Sequence, residues 1–593
     1  MNKRKVGRKI VLFLLSMLLI CSFTACKKVE ELKQQENLTF DEYMDSLLKE
    51  DLASDLSSYV QFVENPKDYG ITSYSHTILG PGKANFDAIT KQCEERLAIL
   101  LTYDYESLTN EQKITYDTLK TYYENRIAIK DCCYYQEPLS TIDGDHIILP
   151  GSIALHTSRF FETLKNRGIQ EVSAIEEYFY IYEAVDQYLK EVAQFEREKA
   201  DVGLFMSSEE ADDVIDLCEN IIDNKAYDFK LTFEDEIKKL TWLGEDERNA
   251  LLAKNTELAE KHVVSGYQAI VDAMKECSPK GGKSKGLYET ELGKKYYEYV
   301  LKAGNNDSAT PLETASLLEQ YVTSWNAEVD AIVQSNPTIM KSVNDKLSAY
   351  EDVDTLIQTI NEGAKADFPD LNLTWGVKDM PTAMNGFAMG LFYPQPIDSS
   401  STEHSIYAGT MLTPGTSAYV QTIGHEGVPG HLYNYCYFMN LDITPYRKLI
   451  GWVNSLGTLE GWTTYIEEYA YRYIGLTEQE ARYLELQRLL ELGLVQRVDI
   501  GVNYEGWQEG EVANYLSKNG PMYAMMSAYI KWLVQNSINM YGPYGVGYIN
   551  LIQIKDQMKQ NMGEKFTDLQ FHEAYLNIGP TTFDILRKQL LSK

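Results

Sequence analysis

The residues with a chemical signature are His425-Glu426-Gly427-Val428-Pro429-Gly430-His431, followed 29 residues later by Glu460-Gly461-Trp462. Two imidazoles, a carboxylate beside the first and another carboxylate at a distance form the ligand-plus-base set of a zinc hydrolase. Such a centre takes three protein ligands and leaves one position open, so that a water is acidified and a carbonyl oxygen polarised. Glu426, the immediate neighbour of His425, points elsewhere on the helix and is placed to move a proton from that water to a leaving amine. The opposing reading of the motif is a pair of packed core histidines.

The spacing constrains the elements that must hold these residues. Histidines at i and i+4 share a helical face, but these stand at i and i+6. At roughly 100° per residue, six residues turn the second ring about 120° from the first, so one continuous helix cannot aim both at one ion. Pro429 removes a helical hydrogen bond and crowds the carbonyl of His425, while Gly430 accepts unusual dihedrals. A kink or bulge is therefore expected between Val428 and His431. Apolar residues before and after, including Val420, Ile423, Leu432, Tyr435 and Phe438, predict half-buried helices on both sides. Leu459 to Tyr473 contains no proline, and Glu460 and Glu467, seven apart, fall on one face of the expected helix. By spacing alone either carboxylate could reach the ion, or be a solvated helical carboxylate.

The His-Glu-x-x-Pro-Gly-His arrangement, with Glu-Gly-Trp and then Tyr465 and Glu467, resembles the DUF885 family of bacterial proteins, which looks related to zincin metallopeptidases. Further stretches agree in order: Thr374 to Tyr393, Asp499-Ile500-Gly501 with Gly506-Trp507, Gly520-Pro521, and Phe571-His572-Glu573-Ala574 with Gly579-Pro580. Phe160 to Val192 and Gly286 to Leu301 match more loosely, so the resemblance covers roughly residues 40 to 590. It implies a zincin-like helical fold, peptidase activity without a defined substrate, and a ligand within Glu-Gly-Trp. On that basis His425, His431 and Glu460 are the expected ligands of one Zn2+ per chain, and Glu467 holds a ligand ring or a substrate amine. The sequence departs from the family at Leu432-Tyr433-Asn434, where His-Leu-Gln is common, and at Asn503, where histidine is usual. For the donor that an oxyanion also needs, His572 is expected from its matching segment and Tyr523 from its place after Gly520-Pro521. A packing role is the alternative for both. His404, in a Ser/Thr-rich stretch, has no spacing that demands a role.

Other signatures fail. Gly281-Gly282-Lys283-Ser284 has Cys277 where a phosphate loop needs glycine and follows a predicted helix, so it reads as a surface loop. Neither a Gly-x-Ser-x-Gly elbow nor Gly-x-Gly-x-x-Gly after a strand occurs. Lys3 to Lys9 are basic, Ile10 to Phe23 almost wholly apolar, and Thr24-Ala25-Cys26 closes the run, the order of an export signal. Its end resembles a bacterial lipoprotein signal, with residues 1–25 removed, Cys26 acylated and residues 26–40 a tether. The expected location is the cell membrane, lipid-anchored through Cys26 on its extracytoplasmic side. The other cysteines, Cys93, Cys132, Cys133, Cys218, Cys277 and Cys436, are scattered and read mostly as buried thiols.

A formal charge of −32 and a pI near 4.7 argue against nucleic acid as a partner. Helical periodicity dominates residues 41–593, at Ile175 to Phe195, Ala211 to Asp223, Phe233 to Leu240, Ala250 to Ala269, Thr314 to Ile332 and Ala481 to Val498. Short strands are expected at Ile147 to Leu149 and Leu373 to Val377. The reading is a single, mainly α domain with little β, two lobes around a cleft, and the metal motif in its C-terminal half. Cleavage of a peptide amide is the first function to test, ahead of a non-catalytic peptide- or solute-binding lipoprotein and of a metallohydrolase acting on a cell-wall amide or ester. The i+6 geometry carries its own test: His431→Ala should lose the metal, read by elemental analysis, while circular dichroism shows the fold retained.

Overall fold

The computed structural model describes residues 38–139, 141–142, 146–147, 157, 169, 172–282, 286–380 and 389–591. The expected signal, Cys26 and most of the tether lie outside the described residues. With 73% helix against 3% strand, the protein is mainly α. Each helix predicted from periodicity is present and generally longer: Val172–Asp201, Ser208–Asp223, Tyr227–Lys239, Pro311–Ser335 and Glu478–Ile500. The stretch expected as Ala250 to Ala269 runs from Glu245–Leu258 through a π-turn at Ala259–Val263 into Val264–Cys277. Polar starts anchor several of these. Thr477 accepts from the Glu480 amide while Glu480 reaches back to the Thr477 amide, a reciprocal cap on the helix Glu478–Ile500.

Apolar packing forms two large clusters. One joins helices between Phe40 and Cys277, and includes Val185 and Leu189 of Val172–Asp201 with Ile270 and Met274 of Val264–Cys277. The other joins residues from Tyr297 to Leu586 around Trp325, Trp462, Leu489 and Ile549. The helix Pro445–Val453 ties them, because its Tyr446, Leu449 and Ile450 pack into the first cluster although the chain around it builds the second. The cysteines named above are free and buried, and no helix among the described residues is long and apolar enough to cross a membrane.

A small sheet lies beside the metal motif. Glu403–Ala408 is its centre, parallel to Thr374–Asp379 and antiparallel to Gly390–Phe392, which leaves the last strand at an edge. The strand expected at Leu373 to Val377 is thus present one residue later. His146–Ile147 pairs with Thr141–Ile142; Ile148 and Leu149 lie outside the described residues.

A close helix contact in the second cluster is made by glycine. Leu456–Tyr473 crosses Gly542–Met562 where a Cβ on Gly461 would meet the carbonyl carbon and oxygen of Gly547 at 2.5 and 2.7 Å. Backbone meets backbone there, and neither position has room for a side chain. Gly461→Ala should therefore cost about 1–3 kcal/mol by overpacking. Gly510→Ala, in the exposed first turn of the helix Glu509–Lys518 with nothing within 4 Å, should instead stabilise by about 0.4–1 kcal/mol. Denaturant titration of the two variants checks the contrast.

Candidate metal centre

The chain breaks between the histidines as their spacing requires. The first helix, Ser417–Glu426, ends on Glu426 and the second, His431–Met439, begins on His431. Residues 427–430 turn between them, with a cis peptide at Val428–Pro429. Gly430 cannot be exchanged freely: a Cβ there would collide with the carbonyl oxygens of Gly424 and His425. The turn brings the two rings to 4.9 Å between centroids, at 78° to one another.

Glu460 meets both. Its Oε2 lies 3.2 Å from His425 Nε2 and 3.4 Å from His431 Nε2. Donor atoms held about 2.0–2.1 Å from a tetrahedral ion stand about 3.3–3.4 Å apart, so Glu460 Oε2 has the spacing of a zinc ligand from each ring nitrogen. Glu426 borders the same place, its carboxylate and the two rings offering atoms within 4.8 Å of one another. One Glu426 oxygen, however, accepts the Phe392 amide of the edge strand at 2.7 Å. That bond ties Glu426 to the strand, whereas Glu460 sits between the rings. Gly390 on that strand lets it approach the helix, since a Cβ would press on Thr422 and Glu426.

The remaining ring nitrogen of His425 is also held: Nδ1 is 2.9 Å from Glu467 Oε1. A carboxylate behind a ligand imidazole fixes its tautomer and orientation. Burial opposes charge on His425, but the bonds to Glu460 and Glu467 outweigh it and lift its pKa to about 10. For Glu460, burial favours the neutral acid; the attraction of both imidazoles prevails and holds it well below the usual carboxylate range. His425, Glu460 and Glu467 are 8%, 4% and 2% exposed, while His431, Glu426, Tyr544 and Arg488 are half-buried. The cluster thus has a closed side and a side that water can reach.

Trp462 explains the rest of Glu-Gly-Trp. Its Nε1 donates to the Pro429 carbonyl at 2.9 Å, pinning the inter-histidine turn to the helix that carries Glu460. Thus Glu460 supplies the oxygen, Gly461 the close helix crossing and Trp462 the clamp.

The structure does not bring His572 or Tyr523 into this group. His572 is fully buried, stacked on Phe368 at 4.1 Å, with Nδ1 2.6 Å from the Asp367 carbonyl and Nε2 2.9 Å from the Tyr465 hydroxyl. Both nitrogens are engaged and burial pushes its pKa down to about 4, so it is a packed core histidine. Tyr523, half-buried on Pro521–Met525, has Glu491 as its charged neighbour. His404 sits on the central strand with Nε2 3.3 Å from Cys436 Sγ. Asn503 donates to Asp499 and to the Val534 carbonyl, inside a buried network that joins Tyr297, Asp499 and Asn539.

Two groups absent from the sequence reading stand here instead. The Tyr544 ring lies 6.0 Å from that of His425, nearly parallel at 21°. Burial, then the charges of Glu460 and Glu426, raise the phenol well above its ordinary value, so it remains a donor. Arg488 has its guanidinium 5.9 Å from the Tyr544 ring and 4.0 Å from Glu467. Gly542-Pro543-Tyr544 repeats the Gly-Pro-then-Tyr pattern that drew attention to Tyr523, a signal present at both places; nothing in its spacing marks Arg488.

The chain belongs to the DUF885 family, described as bacterial proteins of unknown function, whose family model matches residues 67–590. Among solved structures it is similar to a candidate lipoprotein from Colwellia psychrerythraea, with a TM-score of 0.75 and 16% identity over 93% of this chain and 99% of that one. It is also similar to a candidate lipoprotein of unknown function from Shewanella oneidensis, with a TM-score of 0.62 and 15% identity over 94% and 100%. At such identity the likeness concerns the fold. No curated protein matches the chain.

Replacing the groups behind the ligands tests this geometry. Glu467→Gln should lower zinc affinity about 10–100-fold, measured by competition with a chromophoric chelator, with helix content unchanged.

Proposed function

We propose that this protein is a zinc-dependent hydrolase of amide bonds, with peptides as substrates, built on a zincin-like body whose two lobes flank a cleft. The observation that carries the reading is Glu460 Oε2, set 3.2 and 3.4 Å from the two imidazole nitrogens with a proton-transfer carboxylate alongside. The donor set of two imidazoles and a carboxylate suits Zn2+, with His425, His431 and Glu460 as its holders. When bound, the ion would supply Lewis acidity to a water and to the scissile carbonyl.

The chain's own residues do the rest. Glu426, held by the Phe392 amide on one oxygen, has the other free to take a proton from the attacking water and return it to the leaving amine. Tyr544, protonated and without a hydrogen-bond partner among the described residues, offers its hydroxyl to the oxygen that gains charge. Glu467 keeps His425 in one tautomer throughout. The edge strand Gly390–Phe392 lies beside Glu426, where an extended peptide can run along its backbone. A pure binder has no use for a base beside a ligand, which favours catalysis over solute binding. The basic, apolar and small residues ending at Cys26 support a lipid anchor facing the extracytoplasmic side, and the two similar structures come from candidate lipoproteins.

The expected zinc content is about one per chain, with short-peptide cleavage that a chelator abolishes. Glu426→Gln should keep the metal and lose about 10²–10⁴ in turnover. Tyr544→Phe should keep metal and substrate binding and lose about 10²–10³ in kcat. Elemental analysis and mass spectrometry on a peptide library read all three outcomes; absence of metal after reconstitution, or cleavage that survives chelation, overturns the proposal.

A further inference from the structure

Away from the metal residues, a pocket of about 230 Å³ opens between the helix Asn110–Ala128 and the start of the helix Leu456–Tyr473. Two polar side chains on its wall lack the partners that buried groups ordinarily have. Arg126 is 6% exposed, with its guanidinium 4.2 Å from the Phe86 ring and no hydrogen bond or ion pair among the described residues. Ser455 is 1% exposed, its Oγ has no partner, and it occupies the N-cap position of Leu456–Tyr473 without making the usual side-chain cap. Uncompensated burial of such groups costs free energy, which a ligand bearing acceptor oxygens would recover.

The local charge favours an anion despite the acidity of the whole chain. Lys302, on the pocket rim, forms no ion pair among the described residues. The two carboxylates that line the pocket are already engaged: Asp307 and Asp584 each lie 3.2 Å from Arg587, and Asp307 also accepts from Asn550. Arg126, Lys302 and Arg587 outnumber Asp307 and Asp584 by one charge, Arg126 and Lys302 have no acidic partner among the described residues, and the positive end of an 18-residue helix faces the same space. The Gly457 amide there is taken by Asn306 Oδ1, so the helix contributes its field rather than a ring of free amides.

We propose that this pocket binds a phosphate-type oxyanion, held by the Arg126 fork, the Ser455 hydroxyl and Lys302 at the start of the helix that carries Glu460. The volume admits a phosphate group with a small organic substituent, so the source is either inorganic phosphate or a small phosphomonoester. The site is independent of the hydrolase reading and stands if that reading fails.

Calorimetric titration of the purified protein with inorganic phosphate, and separately with glycerol phosphate, at matched ionic strength against chloride, tests it. Saturable binding is expected, weakened about tenfold or more in Arg126→Gln for the loss of a charged hydrogen bond. Lys302→Gln and Ser455→Ala, which spare the buried Arg126, should each weaken it several-fold, so the test survives if Arg126→Gln does not fold. Tighter binding of glycerol phosphate identifies an ester ligand, and equal or weaker binding identifies the free ion. No phosphate-specific heat in the parent, or affinity unchanged in Lys302→Gln and Ser455→Ala, overturns the proposal.

Discussion

Gly461 and Gly547 allow two helix backbones to touch, and the geometry of the metal residues hangs on that contact. The crossing sets Leu456–Tyr473 against Gly542–Met562 at a separation no larger residue permits. Glu460 and Trp462 flank the contact on one helix and Tyr544 lies three residues before it on the other. A carboxylate, a clamp and a phenol are thereby positioned by rigid elements rather than by loops, which suits a centre that tolerates little displacement. The histidine turn is then fastened to this frame by the Trp462–Pro429 hydrogen bond. Remove the close crossing, and the oxygen and both rings lose their common reference.

The electrostatics of the cluster are those of buried carboxylates grouped around an imidazole. Glu460 and Glu467 are nearly inaccessible to water, an expensive place for two charges. His425 lies between them and offsets part of the cost, which is why its protonated form is strongly favoured. Arg488 stands behind Glu467, too far for a hydrogen bond at 4.0 Å but close enough to soften its field. A cation between the rings and Glu460 would take over the role of the imidazolium proton, because ligand imidazole must be neutral. Glu426, on the side that water can reach, adds its charge to that field while one of its oxygens accepts the Phe392 amide.

Much of this was legible in the residues. Periodicity of apolar positions placed the helices, because a stripe at 3.6-residue spacing has to be buried whatever its partner. The i+6 spacing with Pro429 and Gly430 required a break, found between Glu426 and His431. Which aromatic side chain stands beside His425 was not legible: His572 and Tyr544 both stand near Gly-Pro pairs, and a local pattern does not say which surface a side chain faces. His572 turns toward Phe368 and Tyr465, whereas Tyr544 turns toward His425, and only the packing of helices distant in sequence separates them.

By itself the sequence determined the helical class, the break between the histidines and the residue types able to hold a metal, since all three follow from local spacing and side-chain chemistry. The tertiary structure decided which carboxylate meets both rings, which tyrosine faces them, and that Arg126 and Ser455 line one pocket. These are relations between segments that lie tens to hundreds of residues apart, and they depend on how closely particular backbones can approach. Two glycines govern that approach, and their meaning appears only when the opposing helix is in place.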